Sequence, residues 1–309
     1  MANKFVFVFN NEKSIGLKLF ESLSELNYVE VITNVYKINN KFLLKLFNHF
    51  NLKPRFILRK YYSLRKIDFN DKIVVFDNEA LTHLSKRRLL KIKKKSKLVV
   101  LFFIDNLSND YPSVSNAKQL FNKKIFDRVF TFSKEDSNKY GIDLNLCYYH
   151  KKDIGDKIII KNDLFFVGNI KSRLNKIKEL GLFFNKHAIK IDFNLSGNAY
   201  DLGFSYNSIG YLPYEECVKL MMGSNCILDI VDNEDSSVSL RYFEAIVYNK
   251  KLLTNNKKIV EMPLYNPKYM KVFDTLEDID INWVKHQEEV NYNYNNEFEP
   301  INFIKKLDS

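Results

Sequence analysis

SSVSLRYFEAIVYNKKLLTN, residues 236–255, follows an apolar run, Cys226-Ile-Leu-Asp-Ile-Val231, with the composition of a strand buried on both faces of a parallel sheet. The segment opens on a serine-rich loop, continues as a helix and ends in a second short strand, Lys251-Leu-Leu-Thr254. Strand, loop, helix and strand make a βαβ unit whose loop opens at the C-terminal edge of the sheet, where open α/β sheets bind their ligands. Ser236, Ser237 and Ser239 are placed to cap the helix, and the N–H groups of a helix start suit an anion such as a diphosphate. Arg241 adds a fixed positive charge in the first turn. Glu244, one turn further, carries a carboxylate able to accept both hydroxyls of a ribose. The plainer reading is an amphipathic helix that packs on its sheet and holds no ligand.

Ser239-Leu-Arg-Tyr-Phe-Glu-Ala245 and Lys251-Leu-Leu-Thr-Asn-Asn256 resemble the donor-nucleotide segment of GT-B glycosyltransferases, most closely the bacterial enzymes that build lipopolysaccharide and capsular or exopolysaccharide chains. The resemblance implies an α/β protein of two Rossmann-like domains facing each other across a cleft. It also implies a nucleotide-sugar co-substrate with no further cofactor, Glu244 on the ribose, and Ser237, Ser239 and Leu240 near the phosphates. Many of these enzymes carry a second glutamate eight residues before the ribose glutamate. Ser236 stands there in this chain, so the resemblance does not carry a retaining mechanism of the E-x7-E type.

Working back from this segment, Asp163-Leu-Phe-Phe-Val-Gly168 reads as a strand that runs into a helix start bearing Lys171 and Arg173. Glycine lets a phosphate approach the backbone, and two cations at a helix N-terminus favour its charge. The same F-V-G-x-x-K-x-R pattern occurs in the family at the first loop of the nucleotide domain; otherwise it is a surface helix start with ordinary basic residues. Lys190-Ile-Asp-Phe-Asn194 is a further strand. Tyr211-Leu-Pro-Tyr214 precedes a helix and resembles the family segment beside the nucleobase, which makes Tyr211 and Tyr214 candidate contacts.

Residues 1–150 alternate strand and helix in the same manner. Strands are expected at Phe5–Phe9, Val29–Val35, Lys72–Asp77, Leu98–Ile104 and Asp127–Phe132, with helices over Leu17–Leu26 and Lys41–Phe50. Ser133 with Asp136 reads as an N-cap, and Gly141 as that helix's stop. No G-x-G-x-x-G follows the first strand, so a dinucleotide site of the usual kind is not supported; Glu12 and Gly16 are weak candidates for that loop. A transfer that inverts configuration needs a base for the acceptor hydroxyl. Asp105, at the end of the most apolar strand, is the first choice, and Asp77 and Glu79 follow; each is otherwise a loop or capping carboxylate. The domains are expected at 1–150, an acceptor domain, and 163–285, a nucleotide-sugar domain. A linker spans 151–162, and a tail, 286–309, is able to cross back to the first domain.

The 309 residues suit two domains, and 46% apolar composition with 9 Gly and 6 Pro supports real cores over most of the length. Cys147, Cys217 and Cys226 have no metal spacing and read as buried thiols in a reducing compartment. The five histidines are scattered and no D-x-D pair sits in a suitable context, so no metal is expected. No apolar run reaches signal-peptide or membrane-spanning length, which points to the cytoplasm. The formal charge of +11 concentrates in Lys41–Lys66, where basic and aromatic residues mix, and in Lys86–Lys97. Such a mix suits either an anionic membrane surface or nucleic acid; the inner face of a cell membrane is the partner expected, nucleic acid is not, and a lysine-rich solvated face is the plain reading. The resulting function is a glycosyltransferase using a nucleotide sugar and a lipid-linked or polysaccharide acceptor. A non-enzymatic nucleic-acid- or membrane-binding α/β protein, or a sugar-nucleotide epimerase of the same shape, are the alternatives.

Overall fold

Short runs of β-branched and aromatic residues separated by helices give two parallel sheets. A computed structural model describes residues 4–10, 12, 14–33, 64, 67–108, 111–155, 158–198, 200–210, 212–232 and 237–308. The helix expected over Lys41–Phe50, all of the basic Lys41–Lys66 segment except Leu64, Tyr211 and Ser236 lie outside these residues, as does the side chain of Lys171. The chain divides into two units, Met1–His150 with Phe298–Ser309, and Lys151–Glu297.

The first unit contains β1 (Phe5–Val8), β2 (Val29–Ile32), β3 (Ile73–Asp77), β4 (Leu98–Phe103), β5 (Arg128–Thr131) and β6 (Asp143–Leu144). They lie side by side in the order β2-β1-β3-β4-β5-β6, every neighbouring pair parallel. The period of two along each strand sends alternate residues to opposite faces. Val6, Val8, Val74, Phe76, Val99, Leu101 and Phe103 share one core with Leu89 and Ile92 of helix Lys86–Lys93 and Ala117 and Leu120 of helix Pro112–Asn122. On the other face Phe7, Phe102 and Phe130 meet Phe20 and Phe303, the latter from the last helix, Pro300–Asp308.

The first helix, α1, is Ile15–Leu19 and not the longer Leu17–Leu26 segment expected: at Phe20 the chain leaves helical geometry and continues as a 3-10 turn, Glu21–Glu25. Phe20 is drawn into the aromatic cluster with Phe7, Phe9, Phe102 and Phe303, which outweighs the propensity of one more helical turn. Helix Lys134–Tyr140 has the ends its sequence indicates: Ser133 Oγ accepts from the Asp136 N–H at 3.1 Å, and Gly141 takes φ 62°.

The second unit contains β7 (Asn162–Asn169), β8 (Ile191–Ser196), β9 (Asn207–Ile209), β10 (Ser224–Asp229), β11 (Lys251–Thr254) and β12 (Met270–Val272). Their order is β12-β11-β10-β7-β8-β9, again all parallel. Read from the β9 edge this is the 3-2-1-4-5-6 order of doubly wound nucleotide-binding sheets. The chain reverses its direction of winding between β7 and β10 here, and between β1 and β3 in the first unit. At such a reversal the connections following the two strands leave on opposite faces and open a crevice at the carboxyl edge.

Candidate functional site

At the second sheet's reversal point, β7 ends in Gly168-Asn169 and a 3-10 turn, Lys171–Arg173, leads into helix Leu174–Lys186. A Cβ on Gly168 would stand 3.0 Å from Arg173 Nη2 and 3.1 Å from Phe166 Cζ, so glycine makes room for the guanidinium. Arg173 Nη1 donates to the Ile230 carbonyl at 3.0 Å and Nη2 to the Asn169 carbonyl at 2.8 Å, while Nε lies 3.5 Å from Asp232 Oδ1. Arg173 therefore ties the end of β7 to the chain leaving β10. The expected free cation beside a phosphate is instead a strap across the reversal point.

Asp229 ends β10 and is buried. Its carboxylate accepts from Ser239 Oγ at 2.8 Å and Thr254 Oγ1 at 2.9 Å. Burial pushes the Asp229 carboxyl above the usual carboxylate range, and the two hydroxyls pull it back. Ser239 also caps helix Leu240–Val247 by accepting from the Arg241 N–H at 3.1 Å. Thr254 Oγ1 accepts from the Asn256 N–H at 3.0 Å. Asn255 pairs its amide with the Val231 backbone, Oδ1 accepting from N–H at 2.8 Å and Nδ2 donating to the carbonyl at 3.1 Å. Asn256 Nδ2 donates to the Ser237 carbonyl at 3.2 Å. Three consecutive side chains at the end of β11 thus hold both ends of the loop between β10 and the helix.

Glu244 lies wholly inside. Its Oε1 accepts from the Tyr214 hydroxyl at 3.1 Å, and its Oε2 accepts from Arg241 Nη1 in a close ion pair. The Glu244 side chain is 0% exposed and that of Arg241 18%. Among the described residues Arg241 Nη2 reaches only the Cys217 sulfur, at 3.9 Å. Burial raises the Glu244 carboxyl, against the pull of Arg241 and Tyr214. The carboxylate expected to stand open to a ribose has both oxygens engaged inside the protein.

In the first unit, the edge where β1 and β3 part carries three carboxyl groups. Asp77 is 2% exposed; its Oδ1 accepts from the Ala80 N–H at 2.6 Å, and Oδ2 is buried with no hydrogen-bond partner among the described residues. That oxygen would lie 2.8 Å from a Cβ at position 16, so Gly16 is the residue that lets the α1 segment close over it. Burial raises the Asp77 carboxyl well above the usual range against the Ala80 N–H, and the charges of Glu79 and Asp105 raise it further. Asp77, a candidate base in the sequence, is buried and caps the turn that begins at Ala80. Glu79 Oε2 accepts from Ser14 Oγ at 2.7 Å. Asp105 Oδ2 accepts from Asn78 Nδ2 at 2.8 Å, while Asn78 Oδ1 accepts from the Ile104 N–H at 2.8 Å. Both Glu79 and Asp105 are raised, chiefly by burial, and both keep some exposure to solvent.

The sequence matches no family model and no curated protein. Solved structures do match. An alpha-glucosyltransferase in complex with UDP and a 13-mer DNA shares 12% identity over 98% of both chains, with a TM-score of 0.57. Anabaena HepE in complex with UDP and glucose shares 13% over 99% of this chain and 100% of that one, at 0.54. A putative UDP-N-acetylglucosamine 2-epimerase from Listeria monocytogenes shares 13% over 100% and 96%, at 0.51. The fold is GT-B.

In this GT-B chain, Gly168, Arg173, Ser237, Ser239, Leu240 and Arg241 collect at the reversal point of the second sheet, and Tyr214 reaches Glu244 from helix Tyr214–Met222. Asp77, Glu79 and Asp105 collect at that of the first. Sequence reasoning assigns no functional role to Asp229, Asp232, Asn255, Ser14 or Asn78. A carboxylate at the last position of a buried strand, and the T-N-N run that follows β11, were the available signals. Among the described residues no group of three or more His, Cys, Asp and Glu side chains is arranged to hold a metal ion, and no helix is long and apolar enough to cross a membrane.

Proposed function

We propose that the chain is a glycosyltransferase that moves a sugar from a nucleotide-sugar donor to a lipid-linked saccharide or to a lipopolysaccharide or capsular polysaccharide acceptor, without a metal ion or other cofactor. The observation that carries the reading is the meeting of two separated segments, Gly168–Arg173 and Ser237–Glu244, at one reversal point of a 3-2-1-4-5-6 sheet. Three structures that share the fold support it: an alpha-glucosyltransferase and HepE, both with UDP, and an epimerase named for a UDP-sugar. A diphosphate leaving group is served by the start of helix Leu240–Val247 and by Arg241, which stabilise negative charge as it develops. Glu79 and Asp105, half-buried with raised carboxyls, are suited to take the proton of an acceptor hydroxyl at neutral pH. Helix Lys86–Lys93 and the turn after it expose Lys86, Arg87, Lys91, Lys94, Lys95 and Lys97 around a 39% exposed Leu90, a face suited to the anionic cytoplasmic surface of a membrane.

The epimerase among the structures sharing the fold gives a second reading, in which the donor sugar is isomerised on its nucleotide. Incubation of the protein with UDP-, GDP-, dTDP- and CMP-sugars tests both. Release of a nucleoside diphosphate that accelerates with a saccharide acceptor supports the transferase. Conversion of the sugar with the nucleotide retained supports the epimerase, and transfer to duplex DNA alone would replace the proposed acceptor. No thermal shift with any nucleotide or nucleotide sugar refutes both readings.

A further inference from the structure

The Arg241–Glu244 pair is placed where it competes with the ligand. Glu244 has two oxygens and both are held, one by Tyr214 and one by Arg241, with no exposure of its own. A buried carboxylate deprived of its cation is strongly disfavoured, so nothing removes Arg241 unless a donor replaces it on Glu244. The guanidinium itself is less well served. It is 18% exposed, sits in the first turn of a helix start capped by Ser239, and turns Nη2 toward a thiol at 3.9 Å, a weak acceptor at long range. An oxyanion at that helix start is a far stronger acceptor for this edge than the Cys217 sulfur.

We propose that Arg241 makes occupation of the Glu244 pocket by a nucleoside conditional on its phosphates. A diphosphate draws the guanidinium off Oε2, and the hydroxyls of the ribose then take its place on the carboxylate. Tyr214 keeps Oε1 throughout and holds the carboxylate in orientation. A nucleoside alone has to break the ion pair and leaves Arg241 with no anion in return. A nucleoside diphosphate supplies a partner to each half of the broken pair. Arg241 is then a specificity-determining residue that rejects nucleosides, and the two halves of the ligand bind with positive coupling. The inference rests on the donor-site reading above.

Coupling is measurable in the unmodified full-length protein. Affinities of uridine and guanosine are determined by calorimetry with and without saturating inorganic pyrophosphate. Pyrophosphate is expected to tighten the preferred nucleoside about fivefold or more, and the nucleoside to tighten pyrophosphate by the same factor, since such couplings run from about 5- to 150-fold and are reciprocal. Arg241→Gln is expected to abolish the coupling, weaken the diphosphate and leave the nucleoside bound at least as tightly as by wild type. Arg241→Lys, which keeps a charge on the pair, is expected to retain part of the coupling if the glutamine variant does not fold. Pyrophosphate that leaves nucleoside affinity unchanged or lowers it overturns the proposal, and a nucleoside undetectable under both conditions counts as unchanged. UDP and GDP serve as controls: failure of both to bind wild type refutes the donor-site reading, whereas binding without coupling refutes the role of Arg241 alone.

Discussion

Replacing Thr254 by valine removes one oxygen and keeps the shape of a fully buried side chain. That oxygen donates to Asp229 Oδ2 at 2.9 Å and accepts from the Asn256 N–H at 3.0 Å. A hydrogen bond to a charged group contributes about 1.5–3 kcal/mol, and the N–H adds about 1 kcal/mol, so the loss at neutral pH is about 2.5–4 kcal/mol. The loss depends on pH. Burial holds the folded-state pKa of Asp229 above its usual value of 3.8, against the Ser239 and Thr254 hydroxyls. The stability this carboxyl allows is full at low pH and declines as pH rises from the unfolded toward the folded pKa. Valine takes away a donor, lifts the folded pKa further and extends the decline upward. Thr254→Val should therefore lie only about 1 kcal/mol below wild type near pH 4, the share of the Asn256 N–H, and fall progressively further below it toward pH 7.5. The single tryptophan, Trp283, lies in the same unit and reports its unfolding in urea. In an Asp229→Asn background the same substitution should cost only about 1 kcal/mol, because no charge is left to strand. An equal loss at both pH values, or one unchanged in the asparagine background, would refute the assignment of Thr254 as the partner of a buried charge.

Three further outcomes are expected. Asp105→Asn or Glu79→Gln should lower turnover by about 10²–10⁴-fold with nucleotide affinity unchanged; full activity in both variants removes the base from this cluster. Gly181→Ala should lose about 1–3 kcal/mol in thermal or urea unfolding, although alanine is the better helix former, because its Cβ would lie 2.1 Å from Phe204 Cε1. Phe204→Leu in the same chain should recover part of that loss, and a neutral Gly181→Ala would contradict the close packing. Replacement of Lys91, Lys94 and Lys95 by glutamine should reduce binding to anionic vesicles, and wild-type binding should weaken steeply with salt; equal binding to neutral vesicles would exclude an electrostatic attachment.

The buried strands were legible because both faces of each sheet are covered, which forces unbroken apolar runs such as Leu98–Phe103 and Phe5–Val8. The edges were not. β6, β9 and β12 are two or three residues long, and most of their side chains keep contact with solvent, so no apolar period marks them. Helix Pro112–Asn122 escaped for a related reason. Only Val114, Ala117 and Leu120 are buried on it, and its first turns are Pro-Ser-Val-Ser-Asn, residues that equally suit a loop. Proline at a first helical position, which the structure confirms here, was the overlooked cue.

Residue type told less at the site than residue position did. Arg173 and Arg241 both read in the sequence as cations beside a phosphate, and each is engaged inside the protein: one by two carbonyls and Asp232, the other by Glu244. A guanidinium that loses most of its water has to regain hydrogen bonds and an opposite charge from the chain. For Arg173 one of those partners, Ile230, lies 57 residues away on another element, whereas Arg241 finds Glu244 three residues on in its own helix. The two arginines differ in what a ligand would have to displace. Arg173 holds backbone carbonyls that cannot leave, so an anion gains little by approaching it. Arg241 holds one carboxylate that ribose hydroxyls are able to satisfy in its stead. Of the two, Arg241 is the cation that the proposed diphosphate would recruit, and Arg173 the one that ties β7 to the chain leaving β10.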